Sequence, residues 1–297
     1  MNNQIIKWFA VFVASAVFCF PAPGVGNRIS AQSNNRQIVK QPVAIKLERE
    51  KLGKIPTISV KIKGKDYAFF FDSGGAVTSI SPQIAAEIGC NPFGQMTGYN
   101  AGGKEFKMKR CDDVEMNVGG FAVKLDTTVG NAMNFFPPGT PQIDGMISLH
   151  TFENQIITMD LIKNVLQVET EKSFKKKIKD MKPLKSRLSR ELGGYGVDIF
   201  FAASSPKGKI WLLVDTGNTN KLLLAPHAQE QLNIAFDEPK DKTFKPVELD
   251  LLGYGKIETV GRDRTMIYDG MLNYDTILKM LLTIDLRTGE AWAKPNQ

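Results

Sequence analysis

The chain has 297 residues, of which 42% are hydrophobic and 23% charged, and its formal net charge is +7. This length accommodates one large or two ordinary domains, and this composition is that of a globular protein and not of an intrinsically disordered one. Only two histidines and three cysteines are present, without a C-x-x-C motif. A thioredoxin-like protein and a zinc ribbon are therefore excluded as well.

The first 31 residues have the layout of a secretory signal peptide. Lys7 precedes an uncharged apolar run over residues 8–20, and Ile29-Ser30-Ala31 provides a cleavage site with small residues. This run is shorter than the roughly 20 residues that a transmembrane helix needs. We therefore expect a signal peptide at 1–31 and an exported protein, periplasmic or secreted, unless residues 8–20 are retained as a membrane anchor.

Export determines what the cysteines can do. Cys19 lies in the leader, so the mature chain keeps Cys90 and Cys111. In an oxidising compartment these two residues can form one disulfide. Two buried free thiols are an equally good interpretation of their separation.

The remainder of the sequence consists of two similar halves. The first opens with TISVKIKGKDYAFFFDSGG and the second with YGVDIFFAASSPKGKIWLLVDTGN. Each segment predicts a β-hairpin whose second strand is thoroughly apolar and ends at an acid, Asp72 or Asp215. A proline follows in each half, Pro82 or Pro226, at a position typical of the start of a short helix.

The ends of the two halves also match. DGMISLHTFENQIITMDL, from Asp144, aligns without gaps on DGMLNYDTILKMLLTIDL, from Asp269, with seven of eighteen positions identical. A long repeat that occurs only twice predicts two duplicated lobes and not a solenoid. We predict one further short helix in each half, near Thr151–Ile157 and near Thr276–Leu282.

Most segments are short, apolar and bounded by turns, so the predicted fold is all-β. We place the lobes at 44–168 and 193–297, after a polar lead at 32–43. Residues 169–192 form a basic linker, and the overlapping run 171–194 holds nine Lys or Arg and three acids. We interpret this run as solvated, and a nucleic-acid or membrane-surface patch is the alternative.

Each strand-end acid begins a short tripeptide, Asp72-Ser73-Gly74 or Asp215-Thr216-Gly217. Such a carboxylate is costly to bury without hydrogen bonds, and the glycine lets backbone N–H groups approach it. If the halves face each other, the acids meet and share one proton, because two carboxylates in contact cannot both stay ionised. One acid can then act as a base on water and the other as an acid.

With these motifs the chain resembles the retropepsin-like (clan AA) aspartic proteases, of the bacterial exported type with both lobes on one chain. The matching segments, within residues 44–293, are Phe71–Gly74 and Val214–Gly217, each followed by an Asp-Gly-hydrophobic-hydrophobic segment, Asp144–Ile147 or Asp269–Leu272. The resemblance implies a bilobal acid-protease (retropepsin/pepsin-like) fold with two β-barrel-like lobes. It also implies an aspartic endopeptidase without a cofactor or metal.

The resemblance further implies roles for individual residues. Asp72 and Asp215 would form the catalytic dyad, and Ser73, Gly74, Thr216 and Gly217 would support it. A glycine-rich flap would cover the substrate, and TGYNAGG (97–103) lies at a suitable distance after the first acid. Its substrate-binding residues would be Gly98, Tyr99, Gly102 and Gly103. The second half has FDEPKDKTFKP in the equivalent stretch and lacks such a flap.

The chain departs from the family pattern at four positions. Gly75 and Asn218 follow the tripeptides where the family commonly has Ala or Ser, and Ser148 and Asn273 stand where it usually has glycine. A second hypothesis is therefore a non-catalytic peptide-binding module that retains the fold, and a third is an exported structural protein. We expect a peptide or protein partner, no nucleic acid, and a monomer, because both acids are on one chain.

The other polar residues that recur or stand out are predicted to be structural. Acids at turns or strand ends are Asp144, Asp160, Asp269 and Asp285. We interpret Asp112-Asp113 as an exposed hairpin turn. The two histidines, His150 and His227, lack a metal-ligand spacing and are expected at the surface.

Overall fold

The structure is a computed structural model that describes residues 39–237 and 243–297. The predicted signal peptide, its cleavage site and most of the polar lead lie outside the described residues. Among the described residues, no helix combines the length and the apolar character that crossing a membrane requires.

The first half contains ten strands and one α-helix, which are β1 (Val43–Lys46), β2 (Thr57–Ile62), β3 (Lys65–Phe71), β4 (Ser79–Ile80), α1 (Pro82–Glu87), β5 (Phe93–Tyr99), β6 (Glu105–Val118), β7 (Phe121–Val129), β8 (Gly145–Ile147), β9 (Ile156–Asp160) and β10 (Val165–Glu169). The described part of the rest contains α2 (Glu171–Lys177), β11 (Lys182–Leu184), β12 (Ser186–Ser189), β13 (Asp198–Ser205), β14 (Gly208–Val214), β15 (Leu222–Leu224), α3 (Pro226–Leu232), β16 (Lys245–Leu251), β17 (Gly255–Asp263), β18 (Gly270–Leu272), α4 (Tyr274–Ile277), β19 (Met280–Asp285) and β20 (Glu290–Pro295). Short 3₁₀ helices occur at Ala132–Phe135, Leu149–Phe152, Ile178–Asp180 and Leu192–Gly194.

Each half folds into a seven-stranded sheet that closes on itself. The first has the order β2-β3-β8-β4-β7-β6-β5 with an added β2–β6 pairing, and the second has β12-β13-β14-β18-β15-β17-β16 with an added β13–β16 pairing. The central strand β3 pairs in parallel with β8, and β14 pairs in the same way with β18. The predicted all-β, bilobal acid-protease fold with two duplicated barrel-like lobes is confirmed.

A third sheet joins the lobes. Its order is β1-β10-β9-β19-β20-β11, and its centre is the antiparallel pair of β9 and β19. Thr158 and Thr283 lie directly opposite each other there, with their buried hydroxyl groups 2.9 Å apart. Because each lobe supplies a central strand, the sheet fixes the position of one lobe against the other.

The basic segment is more ordered than the sequence predicted. The α2 helix has a capping box, in which Thr170 accepts a hydrogen bond from the Ser173 backbone N–H. Phe174 packs edge-on against Trp292, with ring centroids 5.1 Å apart. Strand β11 then joins the shared sheet and β12 joins the second lobe. The segment therefore connects the lobes and contributes one strand to each of these two sheets.

The predicted helices are right in part. Those at Pro82 and Pro226 are confirmed, and α1 is capped by Ser81, whose hydroxyl accepts a hydrogen bond from the Ile84 N–H. The helices predicted at Thr151–Ile157 and Thr276–Leu282 are wrong in their bounds. Both turns end by the fourth residue, because the β-branched and aliphatic residues that follow form β9 and β19 in the shared sheet.

Two predictions about exposed polar residues are wrong. Asp112 and Asp113 are exposed as predicted, but they lie inside β6 at a bulge and not in a hairpin turn, and Asp113 has a positive φ of 58°. His150 is buried, at 8% exposure, because the 3₁₀ helix turns it into the core. Burial lowers the pKa of the His150 imidazole. His227 is exposed as predicted and lies 3.0 Å from Asp269.

The two cysteines among the described residues are joined in a disulfide. Cys90, which follows α1, is bonded to Cys111 on β6, with their Cα atoms 6.1 Å apart. Of the two alternatives that the sequence leaves open, the structure therefore has the disulfide. It fixes the base of the long hairpin formed by β5 and β6 to the body of the first lobe.

Candidate active site

Asp72 and Asp215 lie at equivalent places, directly after the buried strands β3 and β14. Each carboxyl contacts the glycine of the opposite lobe. A Cβ atom on Gly217 would lie 2.6 Å from Asp72 Oδ2, and one on Gly74 would lie 2.7 Å from Asp215 Cγ. Only a residue without a side chain fits at either position. The two acids therefore meet at the seam between the lobes.

Backbone N–H groups hold the carboxyls in place. Asp72 Oδ1 accepts a hydrogen bond from the Gly74 N–H at 2.9 Å. Asp215 Oδ1 accepts two, from the N–H groups of Gly217 at 2.7 Å and Asn218 at 3.0 Å. The two carboxyls are also close enough for the charge of Asp72 to act on Asp215 across the seam. The acids are thus fixed from their own loops and from across the seam.

Ser73 and Thr216 connect the two acid-bearing loops. The Ser73 N–H donates to Thr216 Oγ1 at 2.9 Å, and the Thr216 N–H donates to Ser73 Oγ at 3.0 Å. Ser73 Oγ donates in turn to the Val214 carbonyl at 2.6 Å, and Thr216 Oγ1 donates to the Phe71 carbonyl at 3.5 Å. Both side chains are completely buried. This reciprocal brace sets the spacing of the two carboxyls.

The environment of the pair favours a shared proton. Burial raises the pKa of Asp72, and the hydrogen bonds from Asp215, Gly74 and Gly217 oppose this rise. Burial raises the pKa of Asp215 well above its ordinary value, and the charge of Asp72 raises it further. The pair therefore keeps one proton at a pH where isolated carboxyls have lost theirs, and the two titrations belong to the pair.

The predicted flap residues form the tip of the hairpin between β5 and β6, where Tyr99 pairs with Glu105. Asn100 shapes this tip, since its Oδ1 accepts hydrogen bonds from the N–H groups of Gly102 at 3.1 Å and Lys104 at 3.0 Å. Gly103 has a φ of +80°, which favours glycine. The tip is therefore shaped by local hydrogen bonds.

The flap reaches the second lobe. The Ile267 N–H donates to the Ala101 carbonyl at 3.0 Å, and Ala101 packs against the apolar cluster that includes Phe200. Gly98 lies against Leu192, since a Cβ atom there would fall 2.5 Å from the leucine side chain. Residues 97–103 thus cross the cleft and contact both the second lobe and the segment that leads into it.

The departures after the tripeptides have structural explanations. A Cβ atom at Gly75 would lie 2.8 Å from the Met146 sulfur, so a side chain there would require the end of Met146 to move. Asn218 donates its backbone N–H to Asp215 and its Nδ2 to the Lys221 carbonyl at 3.1 Å. Both residues keep their loop in the conformation that serves the acid.

The two residues that replace the expected glycines are buried and hydrogen-bonded. Ser148 Oγ accepts from the His150 N–H at 3.2 Å, and the Ser148 N–H donates to Thr78 Oγ1 at 3.2 Å. Asn273 Nδ2 donates to the Asn220 carbonyl at 2.9 Å. These side chains satisfy backbone groups near the acid-bearing strands, so the departures leave the dyad intact.

Sequence reasoning missed a third acid at the site, Asp198, the first residue of β13. Its Oδ1 accepts a hydrogen bond from the Ala76 N–H at 3.2 Å, and the neighbouring Val197 N–H donates to the Ala76 carbonyl at 2.9 Å. Burial raises the pKa of Asp198 to about 8, and the charges of Glu191 and Asp72 act in the same direction. In the structure Phe200 pairs with Leu213, and extending this register by two residues sets Asp198 opposite Asp215.

A concave surface lies beside the tip of the β5–β6 hairpin. Phe200, Trp211 and Tyr268 line it together with Glu191 and Arg187. The Arg187 guanidinium lies 4.3 Å from the centre of the Trp211 ring, and the Tyr268 hydroxyl donates to Glu191 at 2.9 Å. The surface thus combines three aromatic rings with one cation, Arg187, and two carboxylates, Glu191 and Asp269.

Comparisons with known proteins show the fold of the chain. The fold and the paired acids define a two-lobed protein of the acid-protease fold. No protein-family model and no curated protein matches the sequence. Two solved structures, basic 7S globulin from soybean and conglutin gamma from lupine seeds, each match with a TM-score of 0.55 and 8% identity, over 86% of this chain and 95% of theirs. Both are named as globulins, and neither name designates a peptidase.

Proposed function

We propose that the protein is an aspartic endopeptidase that hydrolyses peptide bonds with water activated by Asp72 and Asp215. The contact of the two buried carboxyls across the seam is the observation that supports this proposal. A buried pair of like charges is costly, and the brace formed by Ser73 and Thr216 holds the carboxyls together against that cost. Catalysis provides a reason for such an arrangement.

The reaction follows from one proton shared by two acids. The ionised carboxyl takes a proton from a water molecule as the water oxygen attacks the peptide carbonyl carbon. The protonated carboxyl donates its proton to the carbonyl oxygen. The resulting diol collapses when a proton passes to the amide nitrogen and the C–N bond breaks. No bond forms between the protein and the substrate in this sequence.

The surroundings of the dyad suit an extended peptide. Strand β5 is the last strand of its sheet, so one edge of the flap hairpin carries backbone groups that an extended chain can pair with. The half-buried rings of Trp211 and Tyr268 offer an apolar contact to a neighbouring side chain. We therefore infer a substrate that binds as a strand and places an apolar side chain next to the flap.

A second candidate is a non-catalytic peptide-binding protein that uses the same groove. The comparisons favour it, because both structural neighbours are named as globulins. In this candidate the acids would serve to hold a bound peptide.

Peptide cleavage by the full chain separates the two candidates. We would incubate the wild type, Asp72→Asn and Asp215→Asn with a mixed peptide library from about pH 3 to pH 7 and identify products by mass spectrometry. If the protein is an endopeptidase, the wild type cleaves peptides and neither variant does. A folded wild type that retains peptides without cutting them supports the binding protein and refutes the endopeptidase.

We also propose export and a monomeric state. Removal of residues 1–31 is expected at secretion, with residues 8–20 as a membrane anchor if they are retained. Sequencing the N-terminus of the protein recovered outside the cytoplasm tests the cleavage. Analytical ultracentrifugation tests the monomer, and activity confined to a dimer would refute it.

A further inference from the structure

Asp198 is a buried acid that the dyad mechanism does not use. Its residue is 1% exposed, and the neighbours Val197 and Ile199 are completely buried. It forms no ion pair with any residue in the described parts of the chain. An ionised carboxylate in such a place would lose its hydration without gaining a cation. The neutral, protonated form avoids this cost.

The position of Asp198 ties it to the dyad. In the ladder between β13 and β14, Phe200 pairs with Leu213, and continuing this register by two residues sets Asp198 opposite Asp215. The Ala76 N–H, four residues after Asp72, donates to Asp198 Oδ1 at 3.2 Å. Asp198 thus holds the loop of the first acid while it lies beside the strand end of the second.

Two acids near Asp198 oppose its ionisation. Glu191 approaches from the 3₁₀ turn before β13, and Asp72 approaches from the end of β3. Tyr268, which precedes β18, is an uncharged phenol whose hydroxyl group donates a hydrogen bond to Glu191. From β12 the facing residue is Ser189, which carries no charge. No cation therefore balances a charge on Asp198 from any of these elements.

We propose that Asp198 is a third acid of the site, a positioning residue that stays protonated while the dyad works, so that three buried carboxyls hold two protons. This inference rests on the proposed function for its catalytic meaning. In its neutral form Asp198 anchors the Asp72 loop through Ala76 without adding a charge. Ionisation of Asp198 and loss of the last dyad proton would each add a negative charge to the same buried region. Each of these two deprotonations therefore makes the other less favourable.

Infrared spectroscopy of the full chain counts the protonated carboxyls without any need for catalysis. At neutral pH the wild type should show the C=O stretch of protonated carboxyls, and Asp198→Asn should lose one such group. Asp215→Asn serves as a reference for the proton of the dyad. Asp285→Asn removes a buried acid that is paired with Arg287 and should leave the band unchanged. An unchanged band in Asp198→Asn would overturn the proposal.

The pH profile of peptide cleavage tests the coupling. Asp198→Asn keeps an acceptor for Ala76 but cannot ionise. In the wild type Asp198 begins to ionise on the basic limb, above the optimum, and its charge there opposes loss of the last dyad proton. The variant lacks that charge, so its dyad should lose the last proton at lower pH. We expect the basic limb of the profile to move down by about half a pH unit or more, with activity at the optimum within a few-fold of wild type. An equal loss at every pH would mean a purely structural role and would refute the coupling.

The two measurements also separate this inference from the proposed function. If the wild type cleaves no peptide, the endopeptidase proposal fails, and the infrared band still decides whether Asp198 holds a proton. If the wild type cleaves and the band of Asp198→Asn equals that of wild type, the endopeptidase stands and the third acid is refuted.

Discussion

Ser73 and Thr216 each donate a backbone N–H to the other's hydroxyl oxygen, at 2.9 and 3.0 Å. Both hydroxyl groups are buried, and each donates its own proton to a backbone carbonyl of the opposite lobe. A change in either side chain is therefore transmitted to both loops. The separation of the two carboxyls therefore depends on this exchange of hydrogen bonds.

Replacing Thr216 with valine tests the brace. Valine keeps the shape of threonine but cannot accept the Ser73 N–H, which would be left buried without a partner. We expect the free energy of unfolding to fall by about 1–3 kcal/mol, measured by denaturant titration. Thr216→Ser keeps the hydroxyl and is the matched control. Equal stability of the two variants would contradict the role of the hydroxyl.

Adding a methyl group at Gly217 tests the contact between the lobes. Its Cβ would lie 2.6 Å from Asp72 Oδ2, so Gly217→Ala must push the two carboxyls apart. Peptide cleavage, or peptide binding if the protein does not cut, should fall by at least tenfold. Gly130→Ala is the control, because nothing lies within 4 Å of a Cβ at that position. The same activity in both variants would be inconsistent with carboxyls in contact.

The disulfide should contribute to the stability of the first lobe. Cys90 and Cys111 are 21 residues apart, and closing a loop of this size is worth about 3 kcal/mol. The Cys90→Ala/Cys111→Ala double variant should unfold at lower denaturant concentration than wild type. Reductant should lower the midpoint of the wild type and leave that of the double variant unchanged. A wild type that is insensitive to reductant would argue against the bond.

Stability should depend on pH through Asp198. Its pKa is raised to about 8 by burial and by Glu191 and Asp72, whereas an unfolded aspartate titrates near 3.9. Between these values the folded state binds the extra proton, so wild-type stability falls as pH rises through this window. Asp198→Asn lacks this titration and should gain stability relative to wild type, by up to about 1.4 kcal/mol per pH unit.

Denaturant titrations of both proteins at several pH values from about 4 to 8 measure this difference. Asp285→Asn, in which the lost acid has the partner Arg287, is the comparison for removal of a buried carboxyl. A constant difference between wild type and Asp198→Asn across the window would be at odds with a proton held at Asp198.

The sequence was informative wherever the signal is local or repeated. Hairpins that end at Asp72 and Asp215 follow from strand patterns, and the helices at Pro82 and Pro226 follow from proline at a helix start. These features need only neighbouring residues. The two copies of the Asp-Gly segment then predicted that both halves have one architecture, as the matching strand orders confirm.

What the sequence did not predict depends on contacts between distant segments. His150 is buried because a short 3₁₀ helix turns inward, and periodicity gives no indication of that in four residues. The bulge at Asp112-Asp113 arises from the pairing of β6 with β7. Asp198 reads as an ordinary acid at the start of a strand, and only its contact with Ala76 from the other lobe places it at the site.

In the shared sheet, β9 and β19 bring equivalent residues of the two halves face to face. The two Asp-Gly segments are offset by a constant 125 positions, so Thr158 and Thr283 are equivalent residues, and they are the pair that lies face to face. A contact between equivalent residues is the signature of a two-fold axis, as in a symmetric homodimer. An isolated first half would thus expose on β9 the surface that a second copy of itself could cover, in the register that β19 now occupies.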